Sequence, residues 1–356
     1  MNRTTKVLIL GMGIMVTSAL AVYYLSVLPQ SIGVTPPAQQ VVSQNDGGLV
    51  SEPILSPEPF AELTIPYLRS RSYQSSLGQL NQAAQSTEFT TYLTSYDSDG
   101  LQINGLLTQP AGEMPEGGWP AVVFIHGYIP PSTYRTDEKY EDYVRYLARS
   151  GFVVFKIDLR GHGVSDGEAG GAYYSGDYII DTLNARAALQ AADFVNADKV
   201  GLWGHSMAGN VVLRSMAAQP DIPAGVVWAG AVFSYADFGE LGIDDNSYRP
   251  PSSPSTRTSR RQELFDTHGR FDEDSVFWQQ VDPTNYLSDL QGAIQLHHAQ
   301  NDEVVNIEYS RRLVEQLQNA QVPHQLYEYS QGGHNISGSS FSAAMQRTVD
   351  FYWEQL

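Results

Sequence analysis

The chain contains no cysteine. Disulfides, thiolate metal sites and a thiol nucleophile are therefore excluded, and an oxidising compartment is compatible with the chain. Basic residues are scarce, 21 Lys and Arg against 39 Asp and Glu, for a formal net charge of −18. That balance argues against nucleic acid or an anionic surface as the main partner. There is no His-Glu-x-x-His pair or similar ligand cluster and no Gly-Lys-Ser/Thr phosphate loop, so neither a metal nor a cofactor is called for. No internal repeat is visible. What is present is a chain of 356 residues, 42% apolar, with 21 Tyr and 13 Phe. That is enough for a sizeable core in one large domain with additions, or in two domains.

A long uncharged run occurs at the N-terminus, from Val7 to Leu28, behind Arg3 and Lys6. At ~1.5 Å per residue it would reach roughly 33 Å, enough to cross a bilayer core. Ala19-Leu20-Ala21 resembles a signal-peptidase site, but the apolar run continues past it through Tyr23 and Tyr24, which suits a membrane interface. The expectation is an uncleaved transmembrane helix over residues 1–28 with the remainder exported. Secretion after signal cleavage is the alternative. Residues 29–60 are rich in Pro, Ser and Gln and read as a linker or stalk.

From residue 61 a catalytic-size domain follows. After an irregular or helical lead-in to Ser86, strand patterns at Glu88 to Tyr96 and Leu101 to Gln109 flank a turn, Asp97-Ser-Asp-Gly100. A fully apolar strand at Ala121 to Ile125 and buried strands at Phe152 to Ile157, Val200 to Trp203 and Ala224 to Trp228 alternate with an amphipathic helix at Tyr140 to Ser150 and helices at Tyr178 to Asn196 and Val211 to Ala218. Strands at Gln295 to His298 and His324 to Tyr329, with helices at Ile307 to Asn319 and Phe341 to Trp353, complete the pattern. Such alternation predicts a mostly parallel central sheet with helices on both faces and an antiparallel edge from the leading hairpin. Between about 230 and 290 it lapses. The Pro-rich stretch from Pro250 to Pro254, with Arg257, Arg260, Arg261 and several aromatics, reads as a cap insertion.

The chemistry centres on Gly204-His-Ser206-Met-Ala-Gly209, which lies between an apolar strand and a helix. This strand–turn–helix context is what a nucleophile elbow requires, and it departs from Gly-x-Ser-x-Gly at Ala208. A serine hydroxyl needs a base, and the base needs a third group to hold its tautomer. Asp302 follows the strand ending at His298, and His334 sits in a glycine-flanked loop after the strand ending at Tyr329. Ser206, Asp302 and His334 thus appear after three strands in the order nucleophile, acid, base. Glu303 is the rival acid but should face the other way, and Asp289 comes too early. His297 and His298 lie within or end a strand, His205 should face away from the serine hydroxyl, and His268 belongs to the cap. The oxyanion donors expected are the Met207 N–H and a group of Tyr128, in His126-Gly-Tyr128 after the first apolar strand. Asp158-Leu-Arg160-Gly-His-Gly163 reads as structural lining, with Asp158 and Arg160 bracing loops. Glu240, Asp244 and Asp245 are candidates for holding a substrate's amino terminus.

With these residues in view, Glu88 to Leu356 resembles the α/β-hydrolase superfamily, and within it the prolyl-oligopeptidase-type serine peptidases and esterases. The stretches carrying the resemblance are Phe124-Ile-His-Gly-Tyr128, Asp158-Leu-Arg-Gly-His-Gly163, Gly204-His-Ser-Met-Ala-Gly209, Asn301-Asp-Glu-Val-Val305 and Gly332-Gly-His334. The resemblance implies an α/β-hydrolase fold with a Ser206–Asp302–His334 triad and an oxyanion tyrosine at Tyr128. The β-propeller of the large prolyl oligopeptidases is not expected within these 356 residues. The function implied is cleavage of ester or peptide bonds, most of all as a prolyl-oligopeptidase-like serine peptidase on short peptides, with a carboxylesterase on small acyl esters as the alternative. A catalytically inactive, membrane-tethered binding module is the reading from another class.

Overall fold

The computed structural model describes residues 58–244 and 256–356. The expected transmembrane helix and nearly all of the linker lie outside the described residues; among those described, no helix is long and apolar enough to cross a membrane. In chain order the elements are α1 (Ile65–Ser70), β1 (Asn81–Gln85), β2 (Phe89–Ser98), β3 (Leu101–Pro110), β4 (Trp119–Ile125), α2 (Glu141–Arg149), β5 (Val153–Ile157) and α3 (Asp177–Gln190). They continue with β6 (Val195–His205), α4 (Ala208–Ala218), β7 (Ala224–Trp228), α5 (Tyr235–Leu241), α6 (Thr256–His268), α7 (Val276–Val281), β8 (Ala293–Ala299), α8 (Glu308–Asn319), β9 (His324–Tyr329) and α9 (Ser339–Gln355).

The sheet order is β1-β2-β3-β5-β4-β6-β7-β8-β9. From β5 to β9 every pairing is parallel, while β1, β2 and β3 form the expected antiparallel edge. Strand alternation builds two cores. Ala121, Val123 and Ile125 of β4 point into one with residues of α3, α4 and α8, and Val122 and Phe124 point into the other with residues of α2 and α9. Because β4 is flanked by β5 on one side and β6 on the other, the chain reverses its direction of winding there. The crevice at the C-terminal ends of β4 and β6 is where open α/β sheets place their ligands.

Three elements differ from the sequence expectation. β1 was hidden because all five of its residues are exposed; it is an edge strand held by backbone pairing to β2, with a bulge between Gln82 and Ala84. The helix expected to run from Tyr178 to Asn196 ends at Gln190 and β6 begins at Val195. Ala191-Ala192 would continue a helix, but the carbonyl of Phe194 accepts the Trp119 N–H at 2.9 Å and draws the chain into the sheet. The cap region contains α5, α6 and α7, and its aromatics Tyr235, Phe277 and Trp278 form a third small core with Leu63 of the lead-in and with Phe60, which the linker reading had included. The lead-in therefore packs with the cap.

Candidate active site

Ser206 follows the last residue of β6 and has φ 55°. A left-handed non-glycine residue at this position is strained backbone, of the kind a nucleophile elbow stores. The strain is held by hydrogen bonds on both sides. Ser206 N–H donates to Trp228 O at 2.9 Å, and Ser206 O accepts from Gly209 N–H at 2.9 Å and Ala231 N–H at 3.1 Å. Met207, helical at φ −46°, caps the N-terminus of α4, where main-chain N–H groups lack intrahelical partners and the helix dipole favours negative charge.

The structure also explains Ala208. The tight crossings between strand and helix are at Gly204, where a Cβ would lie 2.8 Å from Ala208 O and from Val212 Cγ2, and at Gly209, where it would lie 2.8 Å from Gly230 Cα. Position 208 itself tolerates a methyl, which is fully buried.

Asp302 and His334 meet. His334 Nδ1 lies 2.9 Å from Asp302 Oδ2, and the Asp302 side chain is wholly buried while that of His334 is 17% exposed. The other carboxylate oxygen, Oδ1, accepts the N–H groups of Val304 at 2.9 Å and Val305 at 3.0 Å. Burial by itself would raise the Asp302 carboxyl, but hydrogen bonds from His298, His334 and the Val305 N–H outweigh it and hold the group well below the usual carboxylate range. Asp302 is thus an anion that fixes a proton on His334 Nδ1 and leaves Nε2 as the basic nitrogen. Glu303, one residue on, is exposed, as its rejection required. Asp289 is engaged by Arg69 at 2.8 Å.

Three participants were missed by sequence reasoning. His298 is fully buried and points at Asp302: Nε2 lies 3.3 Å from Asp302 Oδ2 and 3.0 Å from Val305 O, and Nδ1 lies 2.8 Å from Ser310 Oγ. The i, i+4 spacing to Asp302 across a strand end was the available signal. Asn301 Oδ1 accepts the Gly333 N–H at 2.9 Å, tying the loop of Asp302 to the loop of His334. His205 is the third. Its ring lies 4.6 Å from that of His334 and its Nε2 is 2.9 Å from His334 O. The loop carrying His334 therefore rests directly against the residue next to Ser206.

Tyr128 is half-buried in the loop after β4 and packs against the larger core. Asp158 and Arg160 brace loops as expected: Asp158 accepts from Tyr134 Oη at 2.9 Å and Thr136 Oγ1 at 2.6 Å, and Arg160 pairs with Asp181 at 2.7 Å and Asp177 at 3.1 Å. Glu240 is engaged by Arg312, at 2.6 and 2.7 Å, which occupies one of the carboxylates considered for an amino terminus. Asp244 lines a polar cleft of about 350 Å³ with Asp302 and Glu303, and Asp245 lies outside the described residues. Arg260 pairs with Glu62 and Arg261 lies 4.5 Å over the Tyr174 ring, so both brace the cap; the Arg257 side chain is outside the described residues. No cluster of three or more His, Asp or Glu suited to a metal occurs among the described residues.

Comparison with known proteins agrees with this architecture. The family described as "Serine aminopeptidase, S33" matches residues 120–241, and "BAAT / Acyl-CoA thioester hydrolase C terminal" matches residues 183–348. The chain is 24% identical over 243 residues to an uncharacterized peptidase, YtmA, of Bacillus subtilis, covering 68% of this chain and 85% of that protein. Among solved structures, acetyl xylan esterase 1 from Thermoanaerobacterium matches at TM-score 0.58 and 21% identity, over 83% of this chain and 94% of that one. Porphyromonas gingivalis dipeptidyl peptidase 4 matches at TM-score 0.56 and 20% identity, over 76% of this chain and 36% of that one. Pyrococcus horikoshii acylaminoacyl peptidase matches at TM-score 0.58 and 16% identity, over 76% and 42%. This chain thus spans well under half of the two peptidases. The sheet order and these matches give the chain an α/β-hydrolase fold, and the family matches support a serine hydrolase.

Proposed function

We propose that Ser206, His334 and Asp302 form the catalytic triad of a prolyl-oligopeptidase-like peptidase acting on short peptides. The observation that carries this reading is the strained Ser206 beside a histidine loop whose Nδ1 is bonded to a buried, ionised Asp302. Ser206 Oγ attacks the carbonyl carbon and its proton passes to His334 Nε2. His334 then gives that proton to the leaving amine or alkoxide as the tetrahedral intermediate collapses to an acyl-enzyme. Water, deprotonated by the same nitrogen, releases the acid and restores the serine. Asp302 orients the imidazole and stabilises it when charged. The Met207 N–H, at the positive end of α4, and Tyr128, in the facing loop, hold the oxyanion.

A carboxylesterase is the second reading, favoured by the acetyl xylan esterase, of which this chain covers 94%. The test is turnover of aminoacyl and dipeptidyl p-nitroanilides beside p-nitrophenyl esters and an acyl-CoA thioester, with Ser206→Ala as control. Anilide hydrolysis lost in Ser206→Ala supports the peptidase. Ester turnover with silent anilides makes it an esterase. No Ser206-dependent turnover, together with no labelling by a fluorophosphonate, would refute the triad and bring the binding module forward.

Residues 1–28 are proposed as the anchor that tethers this body to a membrane on its extracytoplasmic side. Carbonate extraction of membranes carrying the full chain should leave it in the pellet. Release into the supernatant as a shortened chain would establish cleavage and secretion instead.

A further inference from the structure

The two halves of the proposed machinery stand far apart in the sheet. The oxyanion loop, with Gly127 and Tyr128, follows β4, whereas the base loop follows β9, and β6, β7 and β8 lie between them. No sheet pairing joins β4 to β9. A line of hydrogen bonds through side chains does. The Gly127 N–H lies 3.0 Å from Tyr140 Oη, Tyr140 Oη lies 2.8 Å from His205 Nδ1, and His205 Nε2 lies 2.9 Å from His334 O.

The direction of each bond is determined. A carbonyl oxygen only accepts, so His205 Nε2 carries the proton and Nδ1 presents a lone pair. The Tyr140 hydroxyl must then donate to Nδ1, and its oxygen accepts the Gly127 N–H. His205 is 3% exposed, and burial pushes its imidazole down to about 3, so this single neutral tautomer persists at ordinary pH. The fit is close: a Cβ at Gly127 would lie 2.9 Å from Tyr140 Oη and 3.0 Å from His205 Nδ1. The support is rigid as well. Tyr140 opens α2 at φ 57°, and Tyr143 on the same helix donates to Asn335 O at 2.8 Å, so the base loop is held at two successive carbonyls, by His205 at His334 O and by α2 at Asn335 O.

We propose that Tyr140 and His205 are positioning residues, a hydrogen-bonded strut that sets the spacing between the oxyanion loop and the general-base loop. Neither touches substrate. The strut acts on catalysis because the base and the oxyanion donors must address one tetrahedral carbon at the same time, and small misplacements of either are costly in rate. The inference rests on the triad reading, and it adds a coupling between two loops that the triad does not itself require.

The test is a set of variants in the full chain, using the best substrate from the panel above: Tyr140→Phe, His205→Leu, His205→Gln, the Tyr140→Phe/His205→Leu double variant, and Ser206→Ala as reference. Tyr140→Phe removes one oxygen and keeps the ring packing on Trp203 and Phe124. It should lower kcat about tenfold with KM within about twofold, and slow fluorophosphonate labelling by the same factor. His205→Leu should lower kcat about a hundredfold. His205→Gln, whose amide can donate to His334 O and accept from Tyr140, should recover most of that loss. The double variant should be no slower than His205→Leu, since both changes cut one line of bonds. Wild-type kcat in Tyr140→Phe, or additive losses in the double variant, would overturn the strut. Should His205→Leu not fold, Tyr140→Phe and His205→Gln decide alone. Turnover surviving in Ser206→Ala would instead refute the triad reading, an outcome distinct from failure of the strut.

Discussion

Replacing His298 by leucine tests whether the acid of the site is held by more than its own loop. The Asp302 carboxylate has four donors in reach: His334 Nδ1 and His298 Nε2 on Oδ2, and the Val304 and Val305 N–H groups on Oδ1. A hydrogen bond to a charged group contributes about 1.5–3 kcal/mol. The His298 contact is long, at 3.3 Å, and its proton is shared with Val305 O, so a value near the bottom of that range applies. About 1.4 kcal/mol corresponds to a tenfold loss in kcat. KM should stay within about twofold, because His298 is fully buried and lies behind the acid. Leucine also strands the Ser310 hydroxyl and the Val305 carbonyl, which costs stability by about 1–3 kcal/mol and lowers Tm by several degrees. Ser310→Ala separates the two effects. It removes the donor to His298 Nδ1 and leaves the Nε2 contact, so it should cost about 1 kcal/mol of stability and keep kcat within about twofold. The assay is steady-state hydrolysis with thermal unfolding of the same preparations. Wild-type kcat in a folded His298→Leu protein would refute the reasoning, as would equal slowing by both variants, which would mark general loosening.

Three further outcomes follow from the packing and the charges. Gly204→Ala places a Cβ 2.8 Å from the Ala208 carbonyl and from Val212 Cγ2; it should cost about 1–3 kcal/mol in urea unfolding and lower kcat by displacing α4 and the Met207 N–H. Arg214, wholly buried, donates to Leu63 O, Ala172 O and Ser175 O, so Arg214→Met should strand three carbonyls and destabilise by several kcal/mol at about 1–3 kcal/mol per group. Earlier proteolytic cleavage near residues 58–71 would check it, and an unchanged digestion pattern would count against it. Burial pushes the imidazoles of His126, His205 and His297 down to about 3, whereas in the unfolded chain they protonate near pH 6.5. The unfolded state then binds more protons between those values, so stability is complete above about pH 6.5 and falls as pH drops toward 3. Three protons taken up on unfolding correspond to a slope approaching about 4 kcal/mol per pH unit by pH 5.5, measurable by urea denaturation at pH 7, 6.5, 6 and 5.5. A flat profile would show these histidines to be charged or solvated in the native state.

Local chemistry was legible wherever it has a short-range cause. Apolar runs of four or five residues marked β4, β5, β6 and β7, because a strand covered on both faces has no polar side to show. The turn at Ser206 was legible because a strand, a small-residue turn and a helix occupy adjacent positions, and the places of Asp302 and His334 because each follows its own strand. β1 was not legible, since an exposed edge strand is specified by its partner's backbone and leaves no pattern in side chains. The start of β6 was not either, because Ala191-Ala192 suits a helix and only pairing with β4 overrules it.

The sequence by itself determined which residues could do the chemistry and in what order along the chain. Only the tertiary structure decided which of them meet: that Asp302 faces His334 while Glu303 faces solvent, that Glu240 is already taken by Arg312, and that His298 contacts Asp302 while His205 bonds the His334 carbonyl. Residue type sets what a side chain can donate or accept, and type is local. Which partner it finds depends on how strands far apart in sequence are stacked beside one another, and no local pattern carries that information.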